Sequence, residues 1–468
     1  MQRNLWLATT AAGLALAAAV AVWLGLTFVE VHRTARSSPL ATATRDLWVL
    51  ASHGGLASHN QASFESGNIG LIEHPKPESY VLHLRSDNDD ALPDWWRQWF
   101  YLKLSDVPIG REVAFTITGG GLPNDYLPFY SYDNINWYQF KNGAATKPGS
   151  LDHVFTGVFT EKTLWVARYV PYPYSRMQRF LDQFRAHPAA RLSVIGKSPQ
   201  GHEVPVLTIT APGDQGSRRV VVIHARTHPG EVASSFVLEG LISFLLGPSS
   251  RAEQLRSRLV FTILPMLNVD GVIAGNNRVS PTGVNVEGKW FGLPAPSLAL
   301  NAALTPPEVL LFHSYLEGLL KSGTKVSMAL NLHASAGEPK NQAFAFVHFG
   351  PTGHGYTAAE AALYDQHMRF INELAAVQGA AWLEAGSEGG RDFLKINMPE
   401  RWWWDHFGPQ VTALTLESTV GLAGDRVHWI KPNDLRAFGA SVAEAIGRVH
   451  FGRGLCAAHG AKNLVRCR

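Results

Sequence analysis

Cysteine is nearly missing from this chain: Cys456 and Cys467 are its two thiols in 468 residues. They form no Cys-x-x-Cys spacing, which excludes a thiolate metal centre and a dithiol redox motif. In an oxidising compartment the pair would close a loop that pins the C-terminus; in a reducing one they remain two thiols. Charge is sparse as well. Charged residues make up 17% and the net charge is +3, too little to argue for nucleic acid, and no basic cluster is interleaved with aromatics. Gly119, Gly120 and Gly121 precede neither a lysine nor a helix start, so they mark a turn and not a phosphate cradle. There is no internal repeat. The abundance is apolar: 46% hydrophobic residues can fill sizeable cores in a chain of this length.

One apolar run stands apart. Leu5 to Val29 carries no charge, and as a helix it would extend roughly 37 Å at about 1.5 Å per residue, beyond the ~30 Å hydrocarbon core. Residues 1–30 are therefore expected to be an uncleaved signal anchor, with the bulk of the protein outside the cytoplasm on the periplasmic or extracellular side. Cleavage after Ala41, Thr42, Ala43 and secretion is the second choice. Arg33 and Arg36 follow the run and blur its orientation.

Residues 31–45 read as a Ser, Thr and Ala-rich spacer. From 46 to 168, short apolar runs separated by Gly, Pro, Asn and Asp predict an antiparallel β-sandwich, with Trp95, Trp96 and Trp99 in its core or at its edge. A Pro-Tyr connector, 169–179, should hold the next domain at a fixed angle, with Tyr172 and Tyr174 at a cleft mouth. Residues 180–453 alternate strands with helices, an α/β pattern, and 454–468 form a tail. Thr305, Pro306, Pro307 and Glu308 read as a capping box for a helix through Leu320. Tyr356 to Gln378 predicts a second helix stopped by Gly379, and Asn433 should cap a third. The stretches 291–304 and 387–404 are expected at a cleft, with Trp402, Trp403 and Trp404 as an aromatic wall or partly buried against the sandwich.

The chemistry gathers at strand ends. His228, Pro229, Gly230, Glu231 follow the apolar run Val220 to Ile223 and open a helix-like segment. An imidazole and a carboxylate three residues apart make half of a zinc site. His333 lies past the strand Lys325 to Leu332, and Glu417 follows the strand Val411 to Leu416. Ligand sites of open α/β sheets lie beyond the carboxyl ends of strands, so these four side chains are placed to meet. His228, Glu231 and His333 would supply two nitrogens and a carboxylate to one Zn2+ ion, leaving a position open for water. Glu417 fits the general base, and Arg278 fits the positive charge that an oxyanion requires.

With these motifs in order, HPGE, NVDG at Asn268 to Gly271, GNNR ending at Arg278, NLH ending at His333 and TLE ending at Glu417, the chain resembles the zinc metallocarboxypeptidases. The resemblance runs from about Asp46 to Arg453. Within that superfamily it is similar to the cytosolic carboxypeptidases that trim glutamate tails, on Trp99, Phe100, Tyr101, Lys103 and the connector Tyr169 to Ser175. The resemblance implies a mixed sheet of the eight-stranded type flanked by helices, preceded by the sandwich. It also implies zinc on His228, Glu231 and His333, with Glu417 as base and Arg278 polarising the scissile carbonyl of a peptide or amide substrate.

The chain also departs from that pattern. Family members follow the polarising arginine with Gly-x-Asp-x-Asn-Arg, whose Asn-Arg pair grips the substrate's terminal carboxylate. Here the stretch is Gly283, Val284, Asn285, Val286, Glu287, Gly288. Loss of the arginine fork removes the bidentate carboxylate grip, and an acid in its place would attract an ammonium instead. The substrate-facing tyrosine expected before the base is missing between Gly386 and Glu417. Lys289 and Arg391 are substitutes for the grip, or plain surface charges. A zinc-dependent peptide hydrolase, first of all a carboxypeptidase, is the leading reading. The alternatives are a membrane-tethered peptide or cell-wall binding protein without turnover, and an N-acyl amino acid deacylase.

Overall fold

Alternating apolar strands account for the first domain of the structure. The computed structural model describes residues 62–87, 93, 96–121, 127–147, 150–213, 216, 218–335, 342–384, 389–423 and 428–452, all within the compact unit Ala57–Arg468. The expected anchor Leu5 to Val29, the spacer, Trp95, and Cys456 with Cys467 lie outside the described residues. Among the described residues no helix is long and apolar enough to cross a membrane.

The first domain contains β1 (Leu71–Lys76), β2 (Ser79–His83), β3 (Tyr101–Leu104), β4 (Glu112–Thr118), β5 (Phe129–Ser131), β6 (Trp137–Gln139), β7 (Asn142–Ala145), β8 (His153–Val158) and β9 (Leu164–Ala167). They form a five-stranded sheet, β1-β2-β4-β8-β7, and a four-stranded sheet, β3-β9-β5-β6. In β4, Val113, Phe115 and Ile117 are buried while their neighbours are not, the period-two pattern of a half-covered sheet. Rings join the two layers: Tyr130 of β5 meets Phe159, just past β8, at 5.3 Å. The sandwich is mixed and not purely antiparallel, because β2 pairs parallel with β4.

The second domain opens with α1 (Tyr174–Asp182) and centres on a seven-stranded sheet, one strand short of the expected eight among the described residues. Its strands are β10 (Ala190–Lys197), β11 (Glu203–Ile209), β12 (Arg219–Ala225), β13 (Leu259–Leu264), β14 (Val326–Ser335), β15 (Phe344–Ala345) and β16 (Thr412–Thr419). Their order is β10-β11-β13-β12-β14-β16-β15. The block β13-β12-β14-β16 is parallel and buried along nearly its whole length, which is why its sequences read as continuous apolar runs without alternation.

The helices around the sheet are α2 (Ala233–Leu245), α3 (Ser250–Arg258), α4 (Val269–Ile273), α5 (Pro307–Lys321), α6 (Ala358–Gln378), α7 (Pro399–Phe407) and α8 (Pro432–Phe451). Two of the expected caps shift. Pro306, in extended backbone, is the N-cap of α5 without a side-chain bond, and Thr305 Oγ1 stays unpartnered. Proline at two successive positions places the turn one residue later than the motif implies. For α8 the cap is Lys431 with Asp434, not Asn433. In α6, Thr357 and Glu360 form a true capping box.

Helices α2 and α8 approach so closely that a Cβ on Gly240 would sit 1.9 Å from the Arg436 carbonyl oxygen. Gly240→Ala is therefore expected to lower the unfolding free energy by about 1–3 kcal/mol. On α5, a Cβ at Gly318 meets nothing within 4 Å, so Gly318→Ala should raise stability by roughly 0.5–1 kcal/mol. Urea titration of the pair reads both signs, and equal effects would refute the packing account.

Candidate metal centre and active site

Parallel β12 delivers the first half of the site. It ends at Ala225, and Arg226 turns the chain at φ +58°. The Arg226 guanidinium is buried and donates to the Pro229 carbonyl (3.1 Å), the Tyr172 carbonyl (3.0 Å) and Ser235 Oγ (2.9 Å). It thereby braces the turn that carries His228. Gly230 N–H donates to the Asn277 carbonyl at 2.7 Å, and a Cβ there would stand 2.6 Å from Asn277 Oδ1, so only glycine lets the turn and the arginine loop touch.

The second half comes from β14 and β16. Both strands run farther than the sequence suggests, so His333 and Glu417 lie inside them as register partners. Partnered residues on adjacent strands face the same way, which places the imidazole and the carboxylate side by side. His228 Nδ1 lies 2.7 Å from Glu231 Oε1, His333 Nδ1 lies 2.8 Å from Glu231 Oε2, and the two Nδ1 atoms are 3.1 Å apart. Ligands at about 2 Å around a tetrahedral ion stand roughly 3.3 Å from one another. The group His228, Glu231 and His333 thus has the donor types and the spacing of an open zinc site, and it is the one metal-sized cluster found among the described residues.

Arg278 reaches the same place from the loop after α4. Its Nη1 is 4.0 Å from Glu231 Oε1, and its guanidinium lies 4.3 Å from the Trp96 ring centroid. That loop is shaped by the sandwich domain. The Asp87 carboxylate accepts from the backbone N–H groups of Asn277 (2.9 Å), Arg278 (2.6 Å) and Val279 (3.1 Å). Arg85 donates to the Ala274 carbonyl at 3.0 Å, and Ser66 Oγ to the Val272 carbonyl at 2.7 Å. Sequence reasoning missed Arg226, Asp87 and the part played by Trp96. Asp87 stands 190 positions before Asn277 in a stretch without motif, and only a fold connects them.

Other expected residues sit elsewhere. Arg391 is paired with Glu360 at 2.6 Å and 2.8 Å, so it offers no free carboxylate grip. Trp402 and Trp403 are buried. Trp402 packs on His313 at 4.8 Å and Trp290 at 6.4 Å, making core and not a cleft wall. Tyr172 just before α1 and Tyr174 at its start are both buried, Tyr174 donating to the Glu203 carbonyl at 2.8 Å. Glu287 is the unexpected arrival: its Oε2 is 3.1 Å from His333 Nε2.

Burial and charge pull against each other throughout. Burial raises the Glu417 carboxyl to about 8, helped by Glu231 and opposed by His333 and Arg278. Among the described residues its Oε2 is buried without a partner. Burial also works against ionised Glu231, but His228 and His333 win and hold it well below the usual carboxylate range. Burial lowers Arg278, against the pull of Glu231 and Glu417. A divalent cation in this group would favour every nearby anion.

Residues 177–290 match the zinc carboxypeptidase family, and residues 61–169 match the cytosolic carboxypeptidase N-terminal domain. The second match falls on the sandwich domain and the first on the opening half of the α/β domain, so each domain is similar to one of these two families. Among relatives, cytosolic carboxypeptidase 3 of Bos taurus is 30% identical over 261 residues, 50% of this chain and 26% of that protein. Cytosolic carboxypeptidase 6 of Caenorhabditis elegans is 30% identical over 250 residues, 49% of this chain and 53% of that one. The match thus spans about a quarter to a half of these relatives' length. A metallo-carboxypeptidase from Burkholderia cenocepacia shares the fold, with a TM-score of 0.67 at 23% identity, covering 83% of this chain and 98% of its own. These names correct the expected placement outside the cytoplasm. The relatives are named cytosolic carboxypeptidases, residues 61–169 match the N-terminal domain of that name, and no helix among the described residues is long and apolar enough to cross a membrane.

Asp87→Ala should cost about 2–3 kcal/mol, since three N–H groups lose a charged acceptor, while Asp87→Asn costs less because an amide oxygen still accepts. Chemical denaturation tests this; unchanged stability in both variants would mean the arginine loop holds its own shape.

Proposed function

We propose that this chain hydrolyses a peptide bond using one zinc ion on His228, Glu231 and His333, with carboxypeptidase action as its first form. The observation that supports this most is the convergence of three side chains, from the turn beyond β12 and from β14, onto one donor group, with the Glu417 carboxylate of β16 beside it. When bound, zinc supplies Lewis acidity towards a carbonyl and makes water a better acid. Glu417 takes the proton from the attacking water and passes it to the leaving amine. Arg278 directs its guanidinium at the carbonyl oxygen as negative charge develops there, and the Trp96 ring keeps that guanidinium flat and partly dry.

The unpartnered Glu417 oxygen argues for turnover over mere binding. A buried carboxylate oxygen without a hydrogen bond is costly, and its use here is to receive a proton. The substrate residue on the leaving side of the scissile bond is less constrained than in an enzyme with an arginine fork. Gly288 occupies that position, and a Cβ there would meet only Ile396 Cγ2 at 3.6 Å.

Three outcomes test the reading. Zinc at a hundredfold excess over its Kd should stabilise the protein by about 2.7 kcal/mol, an increment that His228→Ala removes. Glu417→Gln should keep the zinc increment and lose about 10²–10⁴-fold in kcat; unaltered turnover would reassign the base. Peptides with free and with amidated C-termini should differ by less than about tenfold in kcat/KM, because no bidentate arginine pair rewards the free carboxylate. Zinc binding without release from either peptide, or from N-acyl amino acids, would leave a binding protein.

A further inference from the structure

We infer that Glu287 is a positioning residue of the metal group: its carboxylate orients His333 from behind, so the acid standing where the resembling family grips substrate is spent on a metal ligand instead. This rests on the zinc reading above.

Both rings of the donor group turn Nδ1 inward, and each outer nitrogen has its own acceptor. His228 Nε2 lies 3.1 Å from Asn285 Oδ1, and His333 Nε2 lies 3.1 Å from Glu287 Oε2. One short segment, Asn285 to Glu287, therefore serves both ligands. It is itself held: Asn331 Nδ2 donates to Glu287 Oε1 at 2.8 Å, and Glu287 N–H donates to Asn285 Oδ1 at 3.2 Å. Asn331 precedes His333 by two positions on β14 and so shares its face. Glu287, Asn331 and His333 are all buried, at 7%, 2% and 3% exposure. This seclusion leaves the Glu287 carboxylate with both oxygens committed to protein donors.

A neutral imidazole carries one N–H. An acceptor on Nε2 holds that proton on the outer side and leaves the Nδ1 lone pair for an ion. The two acceptors differ in strength, since Asn285 offers an amide oxygen and Glu287 a full charge. A carboxylate makes its imidazole the more basic donor and brings an extra negative charge towards a divalent cation. The same charge makes the adjoining space unfavourable for a substrate carboxylate. This joins two departures, a lost grip and a gained acid, into one device.

The test is zinc affinity of the full chain, by competition with a chromophoric chelator, for wild type, Glu287→Ala and Glu287→Gln. Glu287→Ala should weaken zinc by about 10–100-fold. Glu287→Gln, whose amide oxygen still accepts from Nε2–H, should fall between the two, which keeps the test open if the alanine variant does not fold. Cobalt substitution gives a second readout: the ligand-field bands should move in Glu287→Ala, a change that loss of mere packing does not produce. Affinity within about threefold of wild type in both variants, or a raised KM with unchanged affinity, would overturn the inference and turn Glu287 towards substrate. Failure of the wild type itself to bind zinc would instead sink the metal reading, and the inference with it.

Discussion

Three parallel strands whose carboxyl ends lie side by side make everything else possible here. Ala225 of β12 pairs with Leu332 of β14, and His333 of β14 pairs with Glu417 of β16. Because the pleat alternates with period two, a slip of one residue in the last pairing would send Glu417 to the opposite face. Burial of the opposite face fixes that register: Leu330, Leu332, Leu414 and Leu416 are at most 2% exposed, so a slip of β16 would drag Leu414 and Leu416 out of their packing against β14. Glu417 is thus placed by the hydrophobic burial of the strand residues beside it.

The arginine is placed differently, by polar bonds from another domain. Its loop leaves α4 and meets Asp87, Arg85 and Ser66, none of which lies on the central sheet. A carboxylate collecting three consecutive backbone N–H groups works as a mould for a turn, stronger than a neutral acceptor would be. The sandwich is thus part of the candidate site, and its docking and the aim of Arg278 form one constraint. This explains why the connector residues are buried structure: Tyr172 receives Arg226 through its carbonyl, which links the same docking surface to the turn that holds His228.

The sequence revealed the parts of the site that are local and concealed those that are not. HPGE was legible because a strand end, a turn and a helix start lie within one short stretch, and NLH and TLE because their apolar runs are unbroken. Strand lengths were misjudged, since polar His333 and Glu417 look like terminators while the ladder continues past both. The sequence leaves Trp402, Trp403 and Trp404 open between an aromatic wall and partial burial against the sandwich; Trp402 is instead buried against His313 and Trp290 within the α/β domain. Asp87 could not have been found by any spacing, because its partners are made by domain docking.

Charge closes the argument. Glu231, Glu287 and Glu417 bring three carboxylates into one buried volume with Arg278 as the fixed cation, and buried charge must be balanced. Two routes remain. Protons are one: burial opposes a charged His333, but Glu287 and Glu231 raise it well above the ordinary imidazole value, and Glu417 is pushed up to about 8. A divalent cation is the other, and it neutralises the two excess charges without placing a proton on either ligand. A metal bound there would compete with protons for the same groups, so acid would loosen it. An arginine at position 288 would have supplied part of that balance by itself. With glycine at that position, the balance is left to protons or to an ion of the kind that the donor group His228, Glu231 and His333 could hold.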